Sequence, residues 1–224
     1  VALFRRGGRE STSAIVVRFS LFLAESGVRT RHVRRHVLAS SPPWDRDSPT
    51  IDTLLSDIPK GQLSPEEAQW RTLERVNSYR GYVATYTDGS KTTVGVGCAF
   101  VIGNETHDMS LPENASVFTA ELIAIRNALD FIIGTESSRH VIFTDSLSSL
   151  KAIGGFNPTN AFVQDVINSL TEVRRAGKEV TLCWIPSHVG VAGNEKADLA
   201  ARCAASVPAT LRCALPASDF KYVI

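Results

Sequence analysis

Residues 82–102 read YVATYTDGSKTTVGVGCAFVI. The β-branched and aromatic opening YVATYT fits a pleated strand, DGSKTTVG carries hairpin chemistry, and VGCAFVI resumes with small residues where another backbone can come close. A hairpin is expected, with a third strand near HDMSL (107–111). Downstream, Ser116 opens and Gly134 closes a helix whose apolar face is Leu122, Ile125, Leu129, Ile132 and Ile133. HVIFTD (140–145) is a short continuous apolar run of the kind that forms a parallel strand covered on both faces. SLSSLKAI (146–153) predicts a short helix ending at Gly154-Gly155, and residues 160–177 a longer one with Asn160 near its start and Gly177 as its stop. EVTLCWIP (179–186) reads as a strand, and the loop SHVGVAG (187–193) leads into the helix NEKADLAARCAA (194–205). The order β-β-β-α-β-α-α-β-α implies an α/β fold with a mixed five-stranded sheet, three antiparallel strands and then parallel ones, flanked by helices.

Residues 81–206 are therefore read as the main domain, and 207–224 as the start of a downstream segment cut short. Residues 1–80 are poorly periodic and read as a connecting segment, basic at its start and partly helical. Its helix is SPEEAQWRTLERV (64–76), where Ser64 is the N-cap, Pro65 the first helical residue and Glu67 the partner in a capping box, ahead of Trp70, Leu73 and Val76. The chain opens on Val1 and ends on Ile224, which reads as a fragment of something longer. The apolar run at residues 13–24 is broken by Arg18 and too short to span a bilayer, so no membrane is expected. Cys98, Cys183, Cys203 and Cys213 lack metal-finger spacing and are expected as free thiols in a reducing intracellular compartment, cytoplasm or nucleus.

The net charge of +1 hides an asymmetry. Residues 1–50 carry nine basic and four acidic side chains, while residues 81–224 carry eleven basic and fourteen acidic. An acidic domain does not hold nucleic acid by electrostatics alone, so another source of positive charge is needed if it meets a polyanion.

Asp88 and Asp145 each follow a strand and precede Gly or Ser, which places both at the carboxyl ends of strands, where open α/β sheets form their ligand crevices. The plainer reading makes Asp88 an Asx-turn residue and Asp145 a helix cap. Glu121 resists such a reading, because Val117, Phe118, Ala124 and Ile125 surround it at helical spacing and no cation is local. A carboxylate turned toward a core is costly unless paired, protonated or bound to metal. Asp198 has Arg202 four residues on, an ordinary ion-pair spacing, and His188 lies on the glycine-bearing loop before that helix. Several carboxylates converging without cations would raise one another's pKa values, whereas hard oxygen ligands suit Mg²⁺ or Mn²⁺. Two divalent ions would neutralise Asp88, Glu121, Asp145 and Asp198 and serve in-line phosphodiester hydrolysis.

YTDGS (86–90), FTAEL (118–122), FTDSLSSL (143–150) and IPSHVGVAGNEKADLAA (185–201) occur in order on the expected elements. From about Tyr82 to Ala205 the chain resembles ribonuclease H, more narrowly the ribonuclease H domain of non-LTR (LINE-like) retrotransposon reverse-transcriptase polyproteins. PPW…ID upstream and ASDFKYVI (217–224) are similar to the segments flanking the nuclease in such polyproteins. The resemblance implies the ribonuclease H-like fold and cleavage of the RNA strand of RNA/DNA hybrids. It implies Asp88, Glu121, Asp145 and Asp198 as ligands of two Mg²⁺ or Mn²⁺ ions, His188 in proton transfer or product release, and substrate contacts at Gly89, Ser90 and Ser146. The implied partners are the hybrid and an upstream reverse-transcriptase domain. Val117, Phe118 and Leu147 replace the asparagines and glutamine of some members, and no basic, tryptophan-rich protrusion is present, only Arg174, Arg175 and Lys178. Hybrid affinity is then expected from the neighbouring polymerase or the basic residues 29–35. Two other readings remain: a catalytically degenerate binding or assembly module, and an integrase or transposase of the same fold.

Overall fold

The computed structural model describes residues 21, 25, 27, 32–34, 48–57, 63–156, 158–211 and 213–220. The apolar run at 13–24 and the basic run at 29–35 lie largely outside these residues, as do the last four of ASDFKYVI.

Six strands form one sheet: β1 (Thr50–Asp52), β2 (Val83–Lys91), β3 (Val96–Ile102), β4 (Glu105–Leu111), β5 (Arg139–Thr144) and β6 (Glu179–Trp184). Five helices join them: α1 (Pro65–Ser78), α2 (Val117–Ile133), α3 (Leu147–Ile153), α4 (Ala161–Arg175) and α5 (Ala192–Ala204). The spatial order is β1-β6-β5-β2-β3-β4. The β1–β6, β6–β5 and β5–β2 pairs are parallel, and β2–β3 and β3–β4 antiparallel. This is the expected mixed α/β sheet with one strand more than the five read from the sequence. The addition, Thr-Ile-Asp at residues 50–52, is too short for periodicity to reveal, and it covers the edge of β6.

Both faces of the sheet are buried, which explains the unbroken apolar β5. On one face Ile142 and Leu182 join α2, α3 and α4 in a cluster that includes Leu122, Ile125, Leu129, Leu150 and Val166. Each fully buried Leu or Ile there contributes roughly 1.5–3 kcal/mol. On the other face Val141, Phe143, Cys183, Ile185 and Val191 form a second cluster, with Val76 and Tyr79 of α1 packed on it. α5 lies on that same face over β2 and β3.

The caps follow the sequence closely. Ser64 and Glu67 complete a capping box, Ser116 accepts from the Thr119 N–H, and Asn160 from the Phe162 and Val163 N–H groups. α1 buries Thr72 and leans on the sheet through Val76 and its C-cap Tyr79, leaving Trp70 63% and Leu73 41% exposed. One boundary differs. α5 begins at Ala192, two residues early, so Gly193 is helical and lies flush on the Tyr86 ring.

The hairpin tip also moves. Asp88, Gly89 and Ser90 are not turn residues, since β2 continues through Lys91 and pairs Asp88 with Ala99, Gly89 with Cys98 and Ser90 with Gly97. The turn is Thr92–Gly95, closed by the Thr92 N–H bond to the Gly95 carbonyl and by the Thr92 hydroxyl, which accepts from the Val94 and Gly95 N–H groups. A glycine is needed inside this strand because α2 crosses directly over it: a Cβ on Gly89 would lie 2.5 Å from the Glu121 nitrogen and 2.8 Å from the Ala120 carbonyl carbon. Both obstacles are helix backbone. Gly89→Ala is expected to cost about 1–3 kcal/mol in urea unfolding, the range for overpacking a rigid site; an unchanged midpoint would show that α2 yields freely.

Candidate active site

The β2–β5 register ends at Thr87 opposite Thr144, so the next residues, Asp88 and Asp145, leave adjacent parallel strands side by side. Glu121 arrives from the second turn of α2, which the Gly89 contact holds tight against β2. Carboxylate oxygens of Asp88, Glu121 and Asp145 lie within 4.8 Å of one another. Asp88 and Glu121 are buried, at 6% and 5% exposure, and Asp145 is half-buried.

Among the described residues no cation pairs with this triad. Burial, then the charges of Asp145 and Asp198, push Asp88 up to about 7, with Arg202 opposing. Burial and the neighbouring Asp88 and Asp145 charges hold Glu121 well above the usual carboxylate range, while a backbone hydrogen bond from Gly89 opposes them. Burial also raises Asp145, against a hydrogen bond from Asn194 and the nearby His188. The Glu121 Oε2 is buried and has no hydrogen-bond partner. An orphaned, buried carboxylate oxygen facing two more carboxylates fits a hard divalent cation and fits poorly with a protein left to itself.

Asp198 belongs to a second, neighbouring group. A ligating atom from each of His188, Glu195 and Asp198 lies within 4.8 Å of the others. Asp198 accepts from Arg202 at 2.5 Å across one turn of α5, so the ion pair suggested by their spacing exists. It does not isolate Asp198, whose charge still raises both Asp88 and Asp145. His188 is exposed on the loop before α5 and adopts a left-handed backbone, φ 57°, uncommon for any residue but glycine.

Neither plainer role for Asp88 and Asp145 holds. Asp88 is paired strand, not turn. The N-cap of α3 is Ser146 rather than Asp145, and Ser146 makes no side-chain cap bond, its hydroxyl lying 2.8 Å from that of Ser149. Gly89 is buried under α2, whereas Ser90 and Ser146 are half-buried at the same end of the sheet. Of the sparse basic residues, Lys178 donates to the Thr135 and Ser137 carbonyls beyond the C-terminus of α2.

Sequence reasoning passed over Asn194 and Glu195. Asn194 is buried, bonds Asp145 and leaves its Oδ1 without a partner; Glu195 completes the group around His188. Their signal was their position, four and three residues before Asp198, which puts all three on one face of α5.

The RNase H family model matches residues 80–206, from three residues before β2 to two residues past α5. No curated protein is a significant match to the chain.

Proposed function

The chain belongs to the RNase H family, and we propose that it hydrolyses the RNA strand of RNA/DNA hybrids, leaving a 5′-phosphate and a 3′-hydroxyl, with two divalent ions, Mg²⁺ or Mn²⁺. The observation that carries this reading is the carboxylate triad in which the buried Glu121 Oε2 lacks any partner among the described residues. When bound, the ions supply Lewis acidity at the scissile phosphate and lower the pKa of the attacking water.

In this reading Asp88, Glu121 and Asp145 would together hold a cation, and Asp198 would contribute to holding a second. Rigid elements fix all four: β2, where its pairing with β5 stops, and the end of β5 deliver the two aspartates, and helices packed on opposite faces of the sheet deliver Glu121 and Asp198. Asn194 orients Asp145 through its hydrogen bond. His188, exposed and close to Glu195 and Asp198, gives or accepts a proton at its imidazole during cleavage or product departure. The peptide groups around Gly89 and Ser90, with the Ser146 hydroxyl, contact the RNA strand through ribose and phosphate, so hybrid shape and the 2′-hydroxyl provide selectivity. The four quoted phrases support a non-LTR retrotransposon polyprotein as the setting, with a reverse-transcriptase domain upstream and the polymerase or the basic residues 29–35 adding hybrid affinity.

The test is incubation of the protein with end-labelled RNA/DNA hybrid, duplex RNA, duplex DNA and single-stranded RNA, in Mg²⁺, Mn²⁺ or EDTA. Endonucleolytic cleavage of the hybrid's RNA strand, abolished by EDTA, is expected. No cleavage by folded protein overturns the catalytic reading in favour of a binding module, and cutting or joining of duplex DNA would point to an integrase.

A further inference from the structure

α1 lies outside the residues matched by the family, yet it is bolted to the sheet beside the His188 loop. The bolt is Asp52, the last residue of β1. Its Oδ2 accepts from the Arg75 Nε at 2.6 Å, from the Tyr79 hydroxyl at 2.6 Å, from the Arg75 Nη2, and from the Cys183 thiol at 3.3 Å. The Leu54 N–H bonds the other oxygen at 3.1 Å. Burial alone would raise the Asp52 pKa, but these donors outweigh it and leave the carboxyl below its usual range. The Arg75 guanidinium also sits 5.3 Å over the Tyr79 ring, which meets Phe143 edge-on at 5.8 Å. One carboxylate thus ties β1, α1 and β6 together.

Held this way, α1 meets the loop through a shared core and through one polar side chain. Val76 and Tyr79 pack on the same buried cluster as Val189, a cluster that includes Val191, so the helix and both neighbours of Gly190 share one core. The Gln69 side-chain amide lies over Gly190, in the space a Cβ there would take. The loop needs such support: His188 and Gly190 both have positive φ, at 57° and 77°, and a non-glycine residue stays in that region only where its surroundings over-determine it.

We propose that Arg75 and Tyr79, by locking α1 to Asp52, are positioning residues for the His188 loop, so that a helix outside the matched family region holds the histidine beside Glu195 and Asp198. The part concerned with turnover rests on the ribonuclease reading of His188; the part concerned with loop order does not.

The experiment measures backbone ¹⁵N order parameters for residues 66–78 and 188–190 in the whole chain, and kcat and KM on hybrid, for wild type, Arg75→Ala, Arg75→Lys and Tyr79→Phe. In wild type the loop should be as rigid as the sheet, near 0.85, and in Arg75→Ala both α1 and residues 188–190 should fall toward about 0.6. Turnover should drop about tenfold with little change in KM, and Arg75→Lys should restore part of both. Should Arg75→Ala fail to fold, Tyr79→Phe removes one bond to Asp52, keeps the ring in place and should show the same changes in smaller measure. A loosened α1 with residues 188–190 still rigid overturns the proposal, as does an α1 that stays rigid without Arg75. Inactive wild-type protein would overturn the nuclease reading and leave the order-parameter comparison standing as its own test.

Discussion

Asp145→Asn is expected to abolish metal-dependent cleavage of the hybrid while making the metal-free protein more stable. The two effects have one cause. Asp145 raises Glu121 through its charge and is among the main causes of the shift at Asp88, so in the absence of a cation its ionised form works against the fold. Asparagine keeps the size and a polar atom for Asn194 but removes that charge. A gain of about 1 kcal/mol is reasonable for one relieved like-charge contact, or roughly 2–4 °C in Tm for a chain of this size. Catalysis moves the other way, because the same carboxylate would hold and orient a cation against the scissile phosphate. Loss of a single preorganised electrostatic contact already costs on the order of 10²–10³ in kcat, and a ligand to the metal should cost at least that much. Differential scanning fluorimetry in EDTA and single-turnover cleavage in Mg²⁺ supply the two readouts. Lower stability with lost activity would mean that Asp145 is structural, and near-normal cleavage would remove it from the site.

The opposite signs also explain which parts of the site were legible in the sequence. Glu121 announced itself by breaking a rule, a carboxylate amid Val117, Phe118, Ala124 and Ile125, and in the fold it is buried with one oxygen orphaned. Asp145 was legible because HVIFT has the unbroken apolarity of a strand covered on both faces, which fixes where the strand must end. Asp88 was placed correctly beside Asp145 for a reason that was half wrong: DGS was read as a turn, yet it is strand, and what brings Asp88 out is that β5 stops at Thr144. Register of that kind depends on a partner more than fifty residues away, and local composition does not contain it. β1 was illegible for a similar reason. Three residues carry no period, and what makes Thr50–Asp52 a strand is the open edge of β6 and the donors that converge on Asp52. Asn194 and Glu195 were missed because each is unremarkable in the first turns of a helix, and their meaning comes from the aspartates that the fold sets opposite them.

The stability of the metal-free protein should fall as pH rises from about 5 to 8, and divalent metal should reverse that fall. Asp88 titrates at about 7 in the fold against an ordinary 3.8, and Glu121 is raised well above 4.5. Both therefore bind their protons more tightly folded than unfolded. Their penalty is absent below the unfolded value, grows as pH rises, and is complete above the folded value. For Asp88 the full penalty is roughly 4 kcal/mol at one pKa unit per 1.36 kcal/mol. Two other groups, half-buried Asp52 and buried His140, can be separated from this effect by sign and window. Asp52 is lowered rather than raised, so the stability it contributes is lost only on acidification below its ordinary 3.8, outside the window. His140 is lowered from 6.5 by burial and adds stability as pH rises toward that value, which opposes the predicted fall. Glu121→Gln isolates the site, because it removes the titrating member that burial and the Asp88 and Asp145 charges raise, while leaving His140 untouched. Urea midpoints at pH 5 and pH 8 should thus converge in Glu121→Gln relative to wild type. Mg²⁺ or Mn²⁺ binds the ionised carboxylates only, so its stabilisation, RT ln(1 + [metal]/Kd), should be larger at pH 8 than at pH 5 and nearly vanish in Glu121→Gln. A wild type whose stability rises over this window in EDTA, or a metal effect equal at both pH values, would mean that the three carboxylates do not share a cation position.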